Sequence, residues 1–270
     1  MPSRLTKTLL GAIILVMSAS AIVYAEPSAH TEKAAEGTSP HWSYMGDSGT
    51  EHWGHLGPDY AACNVGKEQS PINIDTDEKN ESDSKEKVAV NYKSTAFTFG
   101  NNGHTIQANA TATANELTIS GTAYTLAQFH FHTPSEHEID GKASPLELHL
   151  VHKSKTGSLA VLGVLIKEGK ANTAVTEMWC KLPKIKTDAD ITLKTAIDLK
   201  KLLPKDLDAY RYQGSLTTPP CSEGVKWTVL VKPIEMSKAQ IQAFQAIFPD
   251  NHRPAQPQFN RGVNETEIKH

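Results

Sequence analysis

Strict alternation of residue types marks one short segment in the middle of the chain. It reads Gln128-Phe-His-Phe-His132, and on a β-strand this alternation places the glutamine and both histidines on one face, with the phenylalanines on the other. A second segment, Leu146–His152, alternates in the same way, with Glu147, His149 and Val151 on one face. The two segments therefore predict a sheet with one apolar face and one histidine-bearing face.

Short β-type segments separated by Gly, Asn, Pro or Ser dominate the rest of the chain, and helical periodicity is confined to residues 173–179 and 237–248. No stretch after residue 42 has the composition of an interdomain linker. The sequence therefore predicts one sheet-dominated domain with peripheral helices. The candidate strands are 88–92, 96–99, 105–108, 117–119, 128–132, 146–152, 159–166 and 225–231.

The first 25 residues have the pattern of a signal peptide. Arg4 and Lys7 precede an apolar run at residues 9–17, and Val23-Tyr-Ala25 offers small residues to a signal peptidase. The alternative is an uncleaved N-terminal anchor. We expect a signal peptide at 1–25, a flexible leader at 26–40 and a single domain at 41–270, in a protein that is periplasmic or secreted and has no membrane span after cleavage.

The charge of the chain limits the class of protein, and its cysteines limit the possible disulfides. The formal net charge is -3 and no basic stripe is present, which excludes a typical nucleic-acid binder. In an oxidising compartment three cysteines permit three pairings. Cys180 follows Met178-Trp179, a context typical of a buried free thiol. Cys63 and Cys221 lie in loop sequence with Gly and Pro, which favours that pair and leaves the other two pairings open.

Three of the twelve histidines have the arrangement of a metal site. His130 and His132 share one strand face, and His149 on a second strand completes a set of three, the number that catalytic zinc sites use while a fourth position stays open. Gln128 and Glu147, on the same faces, are placed to accept hydrogen bonds from the imidazoles. Two alternatives remain: polar residues satisfied within a sheet, and a cupin-like site in which Glu136 is a fourth ligand.

Further blocks of sequence along the chain resemble those of a known protein family. From about Trp42 to Arg261 the sequence resembles the α-class carbonic anhydrases, in particular their secreted bacterial members, and the blocks occur in the same order. The matching blocks are Gln69–Ile74, Asn101–His104, Gln128–His132 with Ser135–His137, Glu147–His152, Gly214–Pro220 and Arg253–Pro257. The resemblance implies a mainly β (α+β) fold, a single domain with a large central, twisted, mostly antiparallel sheet and short peripheral helices.

The same resemblance implies an activity and its residues. The activity is the zinc-dependent, reversible hydration of carbon dioxide to bicarbonate and a proton, by attack of a zinc-bound hydroxide. The zinc ligands would be His130, His132 and His149, oriented by Gln128 and Glu147. Thr217 would accept from the hydroxide and donate to Glu136, and His104 would shuttle protons. The substrate-binding positions would be Val151, Val161, Leu216, Thr217, Thr218, Val225 and Trp227, and the water network Tyr44, Asn102 and Gln107, where Gln107 replaces a frequent asparagine.

Partners and covalent links follow from the resemblance as well. It implies a Cys63–Cys221 disulfide, inhibition by sulfonamides or inorganic anions, and assembly as a homodimer. Some family members lack a ligand histidine and act only as binding modules. That catalytically silent alternative, like the cupin-like metal-binding alternative, stays open at the level of sequence.

Overall fold

The structure is a computed structural model, and it describes residues 40–77 and 86–269. The predicted signal peptide, and the predicted leader apart from Pro40, lie outside the described residues. The strands are β1 (Asn73–Ile74), β2 (Val88–Asn91), β3 (Ser94–Thr95), β4 (Phe97–Asn101), β5 (Ile106–Ala110), β6 (Glu116–Ile119), β7 (Thr122–His132), β8 (Glu138–Ile139), β9 (Lys142–Ala143), β10 (Leu146–Ser154), β11 (Leu159–Glu168), β12 (Ile191–Thr192), β13 (Ile197–Asp198), β14 (Asp208–Ser215), β15 (Glu223–Leu230), β16 (Ile234–Met236) and β17 (Asn264–Lys269).

The helices are short and lie between these strands. The α-helices of the described residues are α1 (Ala62–Val65), α2 (Thr176–Trp179) and α3 (Lys238–Gln245). Single 3₁₀ turns occupy Gly46–Ser48, Trp53–His55, Pro58–Tyr60, Thr173–Val175 and Leu199–Leu202. The segment predicted as a helix at 173–179 is thus a 3₁₀ turn followed by α2.

One large sheet of twelve strands organises the domain, and β7 is its centre. β5 and β6 pair with one edge of β7, and β10 pairs with the other edge. From β10 the pairing continues through β11, β15, β14, β17 and β2 and returns to β6. Most pairings are antiparallel; within this sheet β11 pairs in parallel with β15 and β16, and β17 with β2. The predicted fold class, mainly β with a large central sheet, is confirmed.

The alternation in β7 separates the two faces of the sheet as the sequence predicts. Phe129 and Phe131 are fully or almost fully buried in the main hydrophobic core, where Phe129 packs edge-to-face on Phe97 with ring centroids 5.0 Å apart. Burying a phenylalanine side chain contributes about 2–3 kcal/mol, so this face holds β7 firmly. The register places His149 of β10 directly opposite His130 of β7. The histidines therefore meet on the face opposite the phenylalanines.

Helix α3 closes one side of this core. Ser237 accepts a hydrogen bond from the backbone of Gln240, and the Gln240 side chain accepts from the backbone of Ser237, which is a capping box. Ile241 and Phe244 face the core and are buried. The predicted N-cap at Ser237 is therefore present, while the helix ends at Gln245, three residues before the predicted end at Phe248.

The cysteines form the expected disulfide, and the prediction for the third was wrong. Cys63 and Cys221 are bonded with an S–S distance of 2.06 Å. Cys180, predicted to be buried, is exposed. The reason is its position at the C-cap of α2: Met178 faces the core, and a residue two positions later lies about 200° around the helix. Among residues 40–77 and 86–269, no helix has the length and apolar character needed to cross a bilayer.

Candidate metal centre

Three imidazoles converge on the face of the sheet opposite the phenylalanines. His130 and His132 come from the end of β7, and His149 comes from the middle of β10. Each offers a ring nitrogen, and the three nitrogens lie within 4.8 Å of one another. The ring centroids of the three pairs are 4.6–5.2 Å apart. The geometry predicted from strand alternation therefore brings the three side chains to one point.

The other ring nitrogen of each histidine is engaged by the protein. His130 Nδ1 donates to Gln128 Oε1 at 2.8 Å, and His132 Nδ1 donates to the backbone oxygen of Asn251 at 2.7 Å. His149 Nε2 donates to Glu147 Oε1 at 2.9 Å. Because these acceptors have no proton to give, they fix the tautomers and leave a lone pair on Nε2, Nε2 and Nδ1 respectively.

These free nitrogens fit a metal ion. His132 Nε2 is fully buried and has no hydrogen-bond partner among the described residues, and leaving a buried polar atom unpaired costs about 1–3 kcal/mol. A metal ion would satisfy it. Three neutral imidazoles with fixed tautomers, close enough to share one ion, form the kind of donor set that divalent transition metals bind.

Burial keeps the imidazoles neutral, which is the form that binds a metal. It lowers the pKa of His130 well below its usual value, with repulsion from His132 and His149 acting in the same direction. It also lowers the pKa of His132 to about 4, although the Asn251 carbonyl opposes the shift. The pKa of His149 is lowered by burial too, against the opposing effect of Glu147. At neutral pH none of the three carries a proton that a metal would have to displace.

Glu147 anchors the third histidine from a completely buried position. Its Oε2 accepts the backbone N–H groups of Glu136 and His137 at 2.9 and 2.8 Å, and its Oε1 accepts from His137 Nδ1 at 2.8 Å as well as from His149. Burial raises the pKa of Glu147, but the neighbouring His137 and His149 and these hydrogen bonds outweigh burial and hold it well below its usual range. The carboxylate therefore stays ionised. His137 Nε2 in turn lies 2.7 Å from the Tyr212 hydroxyl.

Glu136 lies beside the three histidines and outside their set. Its Oε1 accepts the backbone N–H of Arg253 at 2.9 Å, and neither group of possible metal ligands among the described residues, His130 with His132 and His149 or His137 with Glu147 and His149, includes it. Burial raises the pKa of Glu136, while the hydroxyl of Thr217 contributes a hydrogen bond that lowers it. Its Oε2 has no well-aligned hydrogen bond among the described residues.

A cavity of about 150 Å³ opens above the three imidazoles. Its lining contains both apolar and polar side chains, and the partly exposed ring of His104 stacks on Trp42 at 3.7 Å between centroids. Burial lowers the pKa of His104, helped by His41 and Lys186. The lining residues are Trp42, Tyr44, Asn102, His104, Thr105, Gln107, Gln128, His130, His132, His149, Val151, Val161, Leu216, Thr217, Thr218 and Trp227.

Comparison with known proteins assigns the family. The family model of the eukaryotic-type carbonic anhydrases matches residues 48–267. The chain belongs to the α-class carbonic anhydrases. The carbonic anhydrase of Klebsiella pneumoniae is 44% identical over 227 residues, which cover 83% of this chain and 91% of that protein. That of Neisseria gonorrhoeae is 43% identical over 225 residues, which cover 83% and 87%. The enzyme class is therefore carbonate dehydratase, and carbonic anhydrases bind a metal ion.

A solved α-carbonic anhydrase has the same fold. The enzyme from Thermovibrio ammonificans, in complex with the inhibitor sulfanilamide, superimposes with a TM-score of 0.80 at 43% sequence identity. The match covers 86% of this chain and all of that one. The fold of this chain is thus that of an α-carbonic anhydrase.

At two residues the structure of this carbonic anhydrase differs from the site that the sequence predicts. Val225, expected on the substrate wall, does not line the cavity; it is buried with Val161 and Trp227 in a second hydrophobic cluster. The other expected lining residues do surround the cavity. Sequence reasoning also missed Asn251, whose carbonyl holds His132, although it stands two residues before the Arg253–Pro257 block that resembles the family.

Proposed function

We propose that this α-carbonic anhydrase is a zinc enzyme that hydrates carbon dioxide reversibly, with His130, His132 and His149 as ligands. The observation that carries the proposal is the buried, unpaired Nε2 of His132, which points to the same place as the free nitrogens of the other two histidines. Zinc is bound by imidazole at 2.0–2.1 Å in sites with three protein ligands and one open position. The three fixed tautomers supply such ligands.

The cluster's neighbours hold the ligands in place. Gln128, the Asn251 carbonyl and Glu147 each take the N–H of one imidazole, so none of the rings can turn its lone pair away. When bound, zinc supplies a Lewis acid that lowers the pKa of a water molecule to about 7, a value already known for carbonic anhydrases, and so provides a hydroxide nucleophile at neutral pH. Neutral ligands favour this because they leave the positive charge undiminished.

Thr217 and Glu136 orient the nucleophile. Glu136 accepts from the backbone N–H of Arg253, and the hydrogen bond from the Thr217 hydroxyl lowers its pKa against the effect of burial. A hydroxyl that donates its one proton to a carboxylate can only accept from other groups. Thr217 would therefore accept a hydrogen bond from the attacking oxygen, whose lone pair is left facing the cavity.

The apolar wall takes the substrate. Val151, Val161, Leu216 and Trp227 line the cavity together with the three histidines, and carbon dioxide is a small apolar molecule that such a surface accommodates without hydrogen bonds. Thr218, also in the lining, provides a polar group for the bicarbonate product. The wall thus holds carbon dioxide beside the nucleophile and excludes water from that side.

His104 moves the proton that each turnover releases. It lies in the cavity lining with Tyr44, Asn102 and Gln107, whose polar atoms support a chain of water molecules toward it. Its imidazole, with the pKa lowered by burial, is mostly neutral at pH 7 and able to accept a proton. The stack on Trp42 holds the ring at the cavity opening.

A hydration assay with metal removal tests the proposal. We expect chelation of zinc from the purified protein to abolish carbon dioxide hydration, and re-addition of one equivalent of zinc to restore it. Full activity of a preparation shown by elemental analysis to contain no zinc would refute the proposal. Loss of activity with no recovery on adding zinc, together with a bound metal other than zinc, would refute the choice of metal.

We further propose that the protein is exported, as its N-terminal sequence pattern indicates, and that it is inhibited in the way that a solved relative is. The N-terminal 25 residues act as a signal peptide, and the mature enzyme works in the periplasm or outside the cell as a homodimer. The Thermovibrio ammonificans enzyme binds sulfanilamide, and the same three-histidine cluster under an open cavity supports inhibition of this chain by sulfonamides and inorganic anions. A catalytically silent protein of this family would lack a ligand histidine, whereas all three are present here.

A further inference from the structure

A line of polar side chains runs from a surface loop to the rim of the cavity. Asp190 Oδ2 accepts from Asn109 Nδ2 at 2.8 Å, and Asn109 Oδ1 accepts from Gln107 Nε2 at 2.7 Å. Gln107 Oε1 then accepts from Asn102 Nδ2 at 3.4 Å. Gln107 and Asn102 line the cavity together with His104, whereas Asp190 does not. The line therefore connects a carboxylate outside the cavity with the proton-transfer side of the site.

The strand register places this line next to the metal cluster. Gln107 and Asn109 lie on the same face of β5, two residues apart. Gln107 is directly opposite His130 in the neighbouring strand β7, and Asn109 is directly opposite Gln128. The orientation of the Gln107 amide therefore determines which atom is presented beside the first histidine of the cluster.

The hydrogen bonds in the line have one direction, because a carboxylate can only accept. Asn109 must turn its Nδ2 toward Asp190, which leaves its Oδ1 for the next residue. That oxygen requires a donor, so Gln107 turns its Nε2 toward Asn109 and its Oε1 away from it. Without the carboxylate, the Asn109 amide could turn by 180°, and the 3.4 Å contact with Asn102 alone would then fix the orientation of Gln107.

The far end of the line is fixed independently by the backbone. Asn102 Oδ1 accepts the N–H groups of His104 and Thr105, both at 2.9 Å. Backbone N–H groups cannot reverse their polarity, so Asn102 has only its Nδ2 left for Gln107. Gln107 is thus held from both sides. The reverse orientation would place two oxygens together at Asn109 and two N–H groups together at Asn102.

Asp190 itself has a fixed position. Its Oδ2 also accepts from the Thr98 hydroxyl at 2.8 Å, and the strand that follows it, β12, pairs with β4. The backbone of Gly100 lies so close that an added Cβ would be 2.9 Å from Asp190 Oδ1. The carboxylate is therefore held against the strand that precedes the His104 turn.

The geometry points to Asp190 as a positioning residue for proton transfer, which acts through Asn109 to set the amide of Gln107. The cavity then presents Gln107 Oε1, an acceptor, to the water molecules that lead toward His104. Those waters donate to it and are ordered in one direction. This role rests on the proposed function, in which His104 carries the proton.

Three variants separate the hydrogen-bonding role of Asp190 from its charge. Asp190→Ala removes the acceptor and the charge, and Asp190→Asn removes the charge while keeping one acceptor oxygen. Asp188→Ala is the matched control, since Asp188 is an exposed carboxylate in the same loop that makes no hydrogen bond among the described residues. Carbon dioxide hydration is measured in weak and in strong buffer, with kcat and kcat/KM determined separately, and thermal unfolding is recorded for each variant.

We expect Asp190→Ala to lower kcat in weak buffer by roughly three- to tenfold, the effect of losing about one hydrogen bond. Its kcat/KM for carbon dioxide should equal that of Asp188→Ala, excess imidazole should restore kcat, and Asp190→Asn should recover most of the loss. Equal kcat for Asp190→Ala and Asp188→Ala would overturn the inference, and so would an Asp190→Asn variant as slow as Asp190→Ala. A wild-type enzyme with no buffer dependence would instead remove the proposed shuttle itself.

Discussion

The Glu147→Gln substitution tests how the protein fixes the lone pair of a metal ligand. Glu147 Oε2 accepts two backbone N–H groups, and these cannot change polarity, so the amide oxygen of the variant must take that position. Its NH₂ group then replaces Oε1 and meets the N–H groups of His137 and His149. To avoid the conflict, His149 must move its proton from Nε2 to Nδ1, the nitrogen that faces the metal.

The expected loss of zinc affinity depends on which tautomer His149 adopts in the Glu147→Gln variant. If His149 keeps its tautomer, one hydrogen bond to a charged acceptor is lost both with and without zinc, and the cost of about 1.5–3 kcal/mol falls on the stability of the fold. If His149 changes its tautomer, binding zinc requires the reverse change and loses the same interaction. At 1.36 kcal/mol per factor of ten, the zinc dissociation constant should then rise roughly ten- to hundredfold. This range is typical of the loss of a group that hydrogen-bonds a metal ligand.

Competition with a chromogenic chelator measures the dissociation constant directly. Glu235→Gln is a suitable control, because Glu235 is a partly exposed carboxylate that contacts Lys167 at 3.7 Å and accepts the backbone N–H of Lys170 at 3.2 Å. Circular dichroism of the zinc-free proteins separates loss of affinity from loss of folding. A folded Glu147→Gln variant that binds zinc within twofold of the wild type would refute the tautomer argument.

Four further predictions follow from the site and the fold. His132→Ala should abolish both zinc content and hydration, as elemental analysis and an activity assay would show; a zinc-loaded, active variant would contradict the ligand assignment. His104→Ala should lower kcat by roughly tenfold or more in weak buffer, with recovery on adding imidazole. Because burial lowers the pKa of His104, its neutral, proton-accepting form should persist below pH 6.5; a pH profile of proton transfer with its midpoint above that value would contradict this. Removing the Cys63–Cys221 bond, which closes 158 residues, should lower the free energy of unfolding by about 5 kcal/mol on the chain-entropy model; urea unfolding of the double serine variant measures it.

Strand alternation was enough to place the three histidines on one face. The period of two in residues 128–132 and 146–152 depends only on local backbone geometry, and it predicts both the apolar and the polar side of β7 and β10. What alternation could not supply was the register between the strands, which brings His149 opposite His130. Resemblance to the family gave that pairing, and also gave the disulfide that composition left open.

The contacts that the sequence did not reveal join residues far apart in the chain. His132 and Asn251 are 119 residues apart, and the acceptor is a backbone oxygen that any residue type could provide. Asp190 reaches Asn109 across 81 residues. Val225 illustrates the opposite case: the family resemblance implied a place on the cavity wall, but Val225 is not among the residues that line the cavity. Cys180 was misjudged because apolar neighbours do not determine which side of a one-turn helix a residue occupies.

The position of Asn251 and Arg253 also bears on how the enzyme matures. The Arg253 guanidinium donates to Gln69 Oε1, Ser70 O and Cys63 O, while its backbone N–H holds Glu136. Arg253, near the end of the domain, is thus bonded both to residues near the beginning of the domain and to Glu136 beside the three histidines. During synthesis, a growing chain lacks the acceptor for His132 until residue 251 has been added. Tight metal capture is therefore a property of the finished polypeptide, and a ribosome-bound or truncated chain that ends before this point should release the ion readily.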